Sequence, residues 1–476
     1  MEDVEVVEPL TNYTVARVQK NWKGNTLLGG MVTSVNRALD QPYLEDFMVR
    51  NAFTAGIDFT QYFKNRLYYI DVKGMLSSLH GSAGAITALQ NSVAHYYQRA
   101  SSADYLGVDP TRRSLTGTGG YVKVGRKGNA KWNFSETFTW SSPGFDLNDM
   151  GYMKETDYLM NETEIMYRQT DIWKIFRYNA FTLSQKNMWN YGGTPFSNNA
   201  SLRWQSMTMN RYEWDVKETF AWNWLDSRLL RGGPDVRFGS YFLTSAKFNT
   251  DKAKRMMFML KYEGDHNFEG NRFNTISPSL TFRLGNHVYL SGQLDYAWNT
   301  DEMQYVATTS PLSSSSLAPY YYVMGHMDQK TYGLTLKLQV NVTPDISIQF
   351  YGAPFTSIAK YDDFKLAADT KSHTFENRFQ RIDPDQLTYA DGVYTIGEGA
   401  GQMPFRNPDF RFNEFRSNLV ARWEYLPGST LYFVWEHRMS NRDNWYSSGW
   451  GSNLDRMWGL PATNTFMIKM NYWFNL

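Results

Sequence analysis

The chain contains no cysteine among its 476 residues. Disulfides, thiolate zinc sites and a cysteine nucleophile are therefore excluded. It also lacks any run of roughly 18 apolar residues, the length that a membrane-spanning helix needs. An excess of one charge sign is missing as well. Lys and Arg total 48 against 47 Asp and Glu, a formal net charge of +1. No basic run is interleaved with aromatics, so no nucleic-acid partner is expected. The histidines are His80, His95, His266, His287, His326, His373 and His437. None forms a metal-spaced pair of the H-E-x-x-H kind, and they read as loop or lumen polar residues. The glycine-rich segments 117–120 and 397–401 lack the Gly-Lys-Ser/Thr of a phosphate loop and read as turn or bulge glycines. No G-x-S-x-G elbow occurs. No catalytic residue is assigned and no cofactor is implied.

Aromatics, by contrast, are abundant: 32 Tyr, 30 Phe and 16 Trp make up 16% of the chain, although the mean hydropathy is only -0.52. A transmembrane β-barrel accounts for both. Only alternate residues of its strands meet lipid, and aromatics form its interfacial girdles. Period-two patterning supports this. In 331–342, Tyr332, Leu334, Leu336, Leu338, Val340 and Val342 share one face, while Thr331, Thr335, Lys337, Gln339 and Asn341 share the other. The segments 276–284, 287–298 and 415–425 alternate likewise. A soluble sandwich also alternates, but these strands run to about 10–13 residues, enough to cross a bilayer at a tilt. Their polar faces carry large charges.

Short turns at Gly285-Asn286, 343–345 and 426–429 separate such strands from longer segments near 300–330, 355–410 and 438–464. The fold expected is all-β: one large antiparallel transmembrane β-barrel domain over 1–476, of about 19–20 strands, starting near residue 12. Its long external loops are expected near 80–113, 355–410 and 438–464. An odd strand count cannot close antiparallel. Either Val4–Val7 begins a further strand or strands lie upstream, and the acidic start, Met1 to Glu8, carries no export signal. The N-terminus is therefore expected to be incomplete. The last strand places Phe466, Ile468, Met470, Tyr472, Phe474 and Leu476 on one face, the kind of aromatic-rich C-terminal strand that barrel-assembly machinery reads. One stretch departs from alternation: between Gly81 and Arg99, Ile86, Leu89, Val93 and Tyr97 recur at helical spacing. It reads as a short helix packed on its loop or, alternatively, folded into the lumen as a constriction.

Five strings resemble a known family: VEPLTNY at 7–13, SPGFDLND at 142–149, LRGGP at 230–234, QVNVTPDISIQFYG at 339–352 and FRSNLVARWEYLPGSTLY at 415–432. From about residue 7 onward the chain is similar to the domain-of-unknown-function family 5916 of Gram-negative outer-membrane proteins. In full-length members a family-9-like carbohydrate-binding domain precedes a large β-barrel. The resemblance implies that barrel region and an association with carbohydrate, and it transfers no active site. Some relatives carry the label of membrane-associated hydrolases.

The residues leave three functions open: uptake or surface docking of a nutrient such as an oligosaccharide, hydrolysis through loop carboxylates, or a structural or assembly anchor. The expected location is the bacterial outer membrane, with outer-membrane lipid as a partner. Flat rings suit sugar faces, so Tyr320, Tyr321 and Tyr322, with Trp445, Tyr446 and Trp450, are the candidate ligand-binding residues. Acidic pairs at Asp146/Asp149, Asp362/Asp363 and Asp383/Asp385 could serve glycoside hydrolysis. Asp383 and Asp385 are the candidate metal ligands, through hard oxygens suited to calcium.

Overall fold

The computed structural model describes residues 8–99, 105–222, 224–285, 287–312, 320–444 and 449–474, without the side chains of Ala400 and Trp450. Residues 1–7, which include Val4–Val7, lie outside this set, as do Asn286, Trp445, Tyr446 and Leu476.

The chain runs through β1 (Thr11–Trp22), β2 (Thr26–Arg37), α1 (Pro42–Glu45), β3 (Asn51–Phe63), β4 (Tyr68–His80), α2 (Ala83–Gln90), β5 (Ser114–Arg126), β6 (Trp132–Ser141), β7 (Tyr158–Gln169), β8 (Phe176–Trp189), β9 (Pro195–Thr208) and β10 (Glu213–Trp222). Next come β11 (Trp224–Asp226), β12 (Val236–Phe238), β13 (Tyr241–Asn249), β14 (Met256–Asn267), β15 (Arg272–Leu284), β16 (Val288–Thr309), β17 (Tyr321–Asn341) and β18 (Ile346–Ala367). The last are β19 (Phe379–Arg381), β20 (Leu387–Ala390), β21 (Val393–Ile396), β22 (Met403–Arg406), β23 (Phe410–Leu426), β24 (Ser429–Asp443), α3 (Trp450–Trp458) and β25 (Thr463–Asn471).

The fold is all-β. Twenty strands form one sheet, in which each long strand pairs antiparallel with the next long strand in the chain. The short β19 joins the side of β18. The two ends of the sheet differ. At one end the connections are turns such as 23–25, 342–345 and 427–428; at the other, long ones such as 142–157 and 368–409 lie beside short ones at 190–194 and 268–271. Gly428 takes φ 81 in its turn, a left-handed conformation that suits glycine. β1 and β25 run in the same direction, and among the described residues no pairing joins them.

Side-chain parity makes the sheet two-faced. Across β15 to β18 one face carries the bonded rows Phe282–Leu290–Leu338–Phe350 and Leu280–Gly292–Leu336–Gly352. It is solvent-exposed at Leu280, Leu290, Leu294 and Leu336. We call it the outer face. The opposite, inner face carries charges of alternating sign, as in the row Asp71–Lys123–Thr137–Glu162–Lys186. Loops fold over this inner face. Thr370 donates a 2.7 Å hydrogen bond to the Asp235 carbonyl, although their loops leave the sheet at β18 and β10. Contacts of this kind cross the concave side of a curved sheet.

β18 extends to Ala367, twelve residues beyond the limit that its alternation sets, and the connection that follows spans 368–409. Packing explains the extension. Ala359, Phe364 and Leu366 are buried against Val323, Ile396 and Phe405, so the small sheet β20–β22 docks on the projecting ends of β17 and β18.

Candidate functional site on the inner face

Two long loops occupy the inner face of the first strands. Val35, Ala52, Leu79 and Leu115 are register neighbours on β2 to β5, forming one apolar row in an otherwise polar lining. Ile86 of α2 is fully buried against that row, with Tyr97 beside it. Helical spacing in 81–99 thus yields an eight-residue helix, shorter than the pattern implied, and the remainder turns back at Asn91. The helix packs on its own loop, through Tyr97, Leu106 and Val108, and on the strand row beneath it, which offers apolar cover. Ser82 caps it, accepting from the Ala85 amide at 3.0 Å. The buried Gln90 side chain closes the loop by exchanging hydrogen bonds with the backbone of Asp109.

The second loop, 142–157, is held by a wedge. Phe145 is buried and lies over Gly117 and Gly119 of β5, both on the inward parity. A Cβ at Gly119 would stand 2.5 Å from the Phe145 ring, and one at Gly117 would stand 2.1 Å from the Phe145 amide nitrogen. These glycines therefore belong to neither a turn nor a bulge: β5 pairs through them with no register shift. Their role is close approach, the other use of a strand glycine.

Beside the wedge, His95 Nε2 stands 2.9 Å from a carboxylate oxygen of Asp146, both side chains being buried. The Asp146 backbone amide donates to Ser77 Oγ at 2.9 Å. His95 Nδ1 stands 2.8 Å from the Pro143 carbonyl, an acceptor, so Nδ1 carries a proton. Asp149 pairs with Arg37 at 2.6 Å. Further along, Asp157 takes Arg99 at 2.5 Å and the Tyr105 hydroxyl at 2.6 Å. Burial, together with donation to Asp157, raises the Tyr105 pKa, and burial holds that of Tyr97 at about 12. The two loops are thus tied to each other and to the wall by desolvated charge pairs.

Between loop 142–157 and the wall remains a cavity of about 310 Å³. Met31, Met75, Leu147 and Met150 give it an apolar lining, and Arg17, Asp58 and Lys73 supply charge. Arg17 pairs with Asp58 at 3.3 Å, and Lys73 lies 5.5 Å from the Tyr121 ring centroid. Apolar walls with a few charges suit a small polar ligand with an apolar flank.

The residues singled out from sequence fall elsewhere. Tyr320 is exposed. Tyr321 packs with the β20–β22 sheet, whereas Tyr322 packs with Leu230 and Met303, so strand alternation sends the last two apart. Trp450 opens α3; Trp445 and Tyr446 lie outside the described residues. Asp383 precedes a 3-10 turn at 384–386 that contains Asp385, and both are exposed. Among the described residues, no group of three or more His, Asp or Glu side chains could hold a metal ion. Asp363 lies near Lys365 and Arg381. Sequence reasoning missed His95, Phe145 and the cavity charges. Gly117 and Gly119, two apart within a strand, were the readable signal.

A long antiparallel meander, apolar outside and polar inside with loops turned inward, defines the class: a large β-barrel-type wall. Within that class the chain belongs to the DUF5916 family, described as a domain of unknown function, whose profile matches residues 1–476. No curated protein matches the sequence. Several solved structures are similar. The siderophore receptor PirA from Acinetobacter baumannii is 9% identical, with 88% of this chain and 70% of that one covered and a TM-score of 0.37. The outer membrane transporter YddB from Escherichia coli is 9% identical, with 90% and 63% covered and a TM-score of 0.45. The RagAB peptide transporter is 8% identical, with 91% and 51% covered and a TM-score of 0.37. The chain thus spans less than two thirds of the last two.

Proposed function

We propose that this chain forms the wall of a bacterial outer-membrane β-barrel that takes up or docks a nutrient, an oligosaccharide being the class favoured. The observation that carries this reading is the two-faced meander. An exposed face of Leu, Phe and Trp is costly in water and stable against lipid, while the charged face needs a wet interior. The long strands between β1 and β25 have a hydrogen-bonded neighbour on both sides, as crossing a bilayer requires. The aromatic C-terminal strand suits recognition by the barrel-assembly machinery.

Loops 81–113 and 142–157 then narrow the lumen, and the cavity beneath Leu147 and Met150 is the docking place. Tyr320, exposed at the loop end, is a rim contact for a sugar ring. The test is proteoliposome swelling with sugars of graded size, alongside equilibrium binding of the same sugars to wild type and to D58A. Swelling, or binding that D58A weakens, supports the reading. Neither flux nor binding for any sugar would refute it and leave an anchoring role.

A further inference from the structure

The outer face is not apolar throughout. β6 reads WNFSETFTW and β10 reads WDVKETFAW, the same pattern twice: Trp, then an apolar residue two on, then Glu-Thr-Phe, then Trp. Exposure of Trp132, Phe134 and Phe138, and of Trp214 and Phe220, puts this parity outward. Glu136 and Glu218 share it. Each stands midway between two tryptophans, which are girdle residues in a membrane wall. Both glutamates therefore sit at the centre of the lipid-facing belt, where a charge destabilises most. An ionisable residue at that depth points to a function.

The row through Glu136 is polar for two more strands. Glu136, Thr163 and Gln185 are successive register neighbours on β6, β7 and β8. The next row holds Asn161, Asn187 and Asn198. Thr163 donates to Glu136 at 2.6 Å, and Asn161 donates to its other oxygen. Thr244 of β13 likewise donates to Glu218 at 2.7 Å. A carboxylate has about four acceptor sites, so acceptor capacity is left over at both. Across β15 to β18 the rows Phe282–Leu290–Leu338–Phe350 and Leu280–Gly292–Leu336–Gly352 of the same face hold no polar side chain.

Given the membrane reading above, on which this inference rests, we propose that the outer face of β6 to β9 docks a second copy of this chain. The patch carries both halves of the contact, as a two-fold interface requires. An axis through Thr163, along the membrane normal, brings the Glu136 acceptor on one side of β7 toward the amides of Gln185 and Asn187 on the other side in the partner, and the reverse. Flanking Trp132, Trp140 and Trp189 supply the large aromatic rim that such interfaces favour.

The absence of native cysteine permits single labels. The full chain, labelled at Lys174→Cys in the 170–175 turn or at Asp345→Cys in the 342–345 turn, is reconstituted in phosphatidylethanolamine–phosphatidylglycerol vesicles. Flotation with the vesicles is checked first. Energy transfer between copies is expected to be strong for the label at 174 and weak at 345. Glu136→Leu should weaken association at least tenfold, while Glu136→Gln, which keeps a hydrogen-bonding amide, should retain it. No transfer at 174, equal transfer at both labels, or full transfer in Glu136→Leu would each overturn the proposal. A chain that does not float with vesicles overturns the membrane reading instead, and this proposal with it.

Discussion

Substitution of the two inward glycines of β5 should unseat loop 142–157 by different routes, and a double mutant separates them. At Gly117 an added methyl would meet backbone, 2.1 Å from the Phe145 nitrogen and 2.4 Å from the Gly144 carbonyl carbon. Ordinary contact begins near 3.4 Å, so the loop must retreat by roughly 1.3 Å, and a gap of that size forfeits more than half of the dispersion energy across it. Burying a Phe ring contributes about 1.5–3 kcal/mol, and residual overlap costs about 1–3 kcal/mol. Together G117A should disfavour the docked loop by about 3 kcal/mol, roughly a hundredfold in population. At Gly119 the methyl would meet only the ring, at 2.5 to 2.9 Å. G119A should cost a similar amount alone, but little in an F145A background, where the ring is gone. G117A should remain costly in F145A, because the backbone is still there. Amide hydrogen exchange over 142–157 reads the docking equilibrium. If F145A rescues both glycine variants equally, or neither, the wedge is not what holds the loop.

Three other outcomes follow from the same contacts. D146A leaves His95 buried without its carboxylate, a loss of about 3–5 kcal/mol for a broken buried pair, and should speed exchange in both 91–99 and 142–157; acceleration in only one loop would deny the tie between them. I86A empties the space over the Val35–Leu115 row and should cost about 2–5 kcal/mol, read as lost protection across 83–97 with β7 to β10 unchanged. Asp409 has a raised pKa because burial outweighs the hydrogen bond that the Tyr361 amide donates to it and the attraction of the Lys360 charge. Its contribution is therefore complete below the ordinary carboxylate range, near 4, and fades as pH rises through the raised value. Protection of 403–410, corrected for intrinsic exchange, should fall across that window in wild type and stay level in D409N.

The wall was legible because a strand writes its faces locally. Tyr332 and Lys337 need only their parity to be placed, and β17 obeys the alternation seen in its letters. The strand count, close to nineteen, emerged from the same signal plus turn chemistry. Strand ends were less legible where tertiary cover overrides the pattern: 356–367 was expected as part of a long loop, yet β18 continues because β20–β22 shields it. Loop contacts were illegible for another reason. His95 meets Asp146 fifty-one positions away, and no local rule links residues whose contact depends on how two insertions fold inward.

Departures from pattern carry more about function than the pattern does. Gly117 and Gly119 break the run of side chains on the inner face of β5, and the structure puts Phe145 in the gap. Val35, Ala52, Leu79 and Leu115 break the polar lining, and α2 covers them. In both places an irregular row is matched by a loop that fills it. The row Glu136–Thr163–Gln185 is the same kind of irregularity on the other face, polar beside the apolar row Phe134–Ile165–Leu183. Two-faced strands tolerate such rows only where something answers them. Inside, the answer is a loop of the same chain; outside, the proposed answer is the matching row of a second copy.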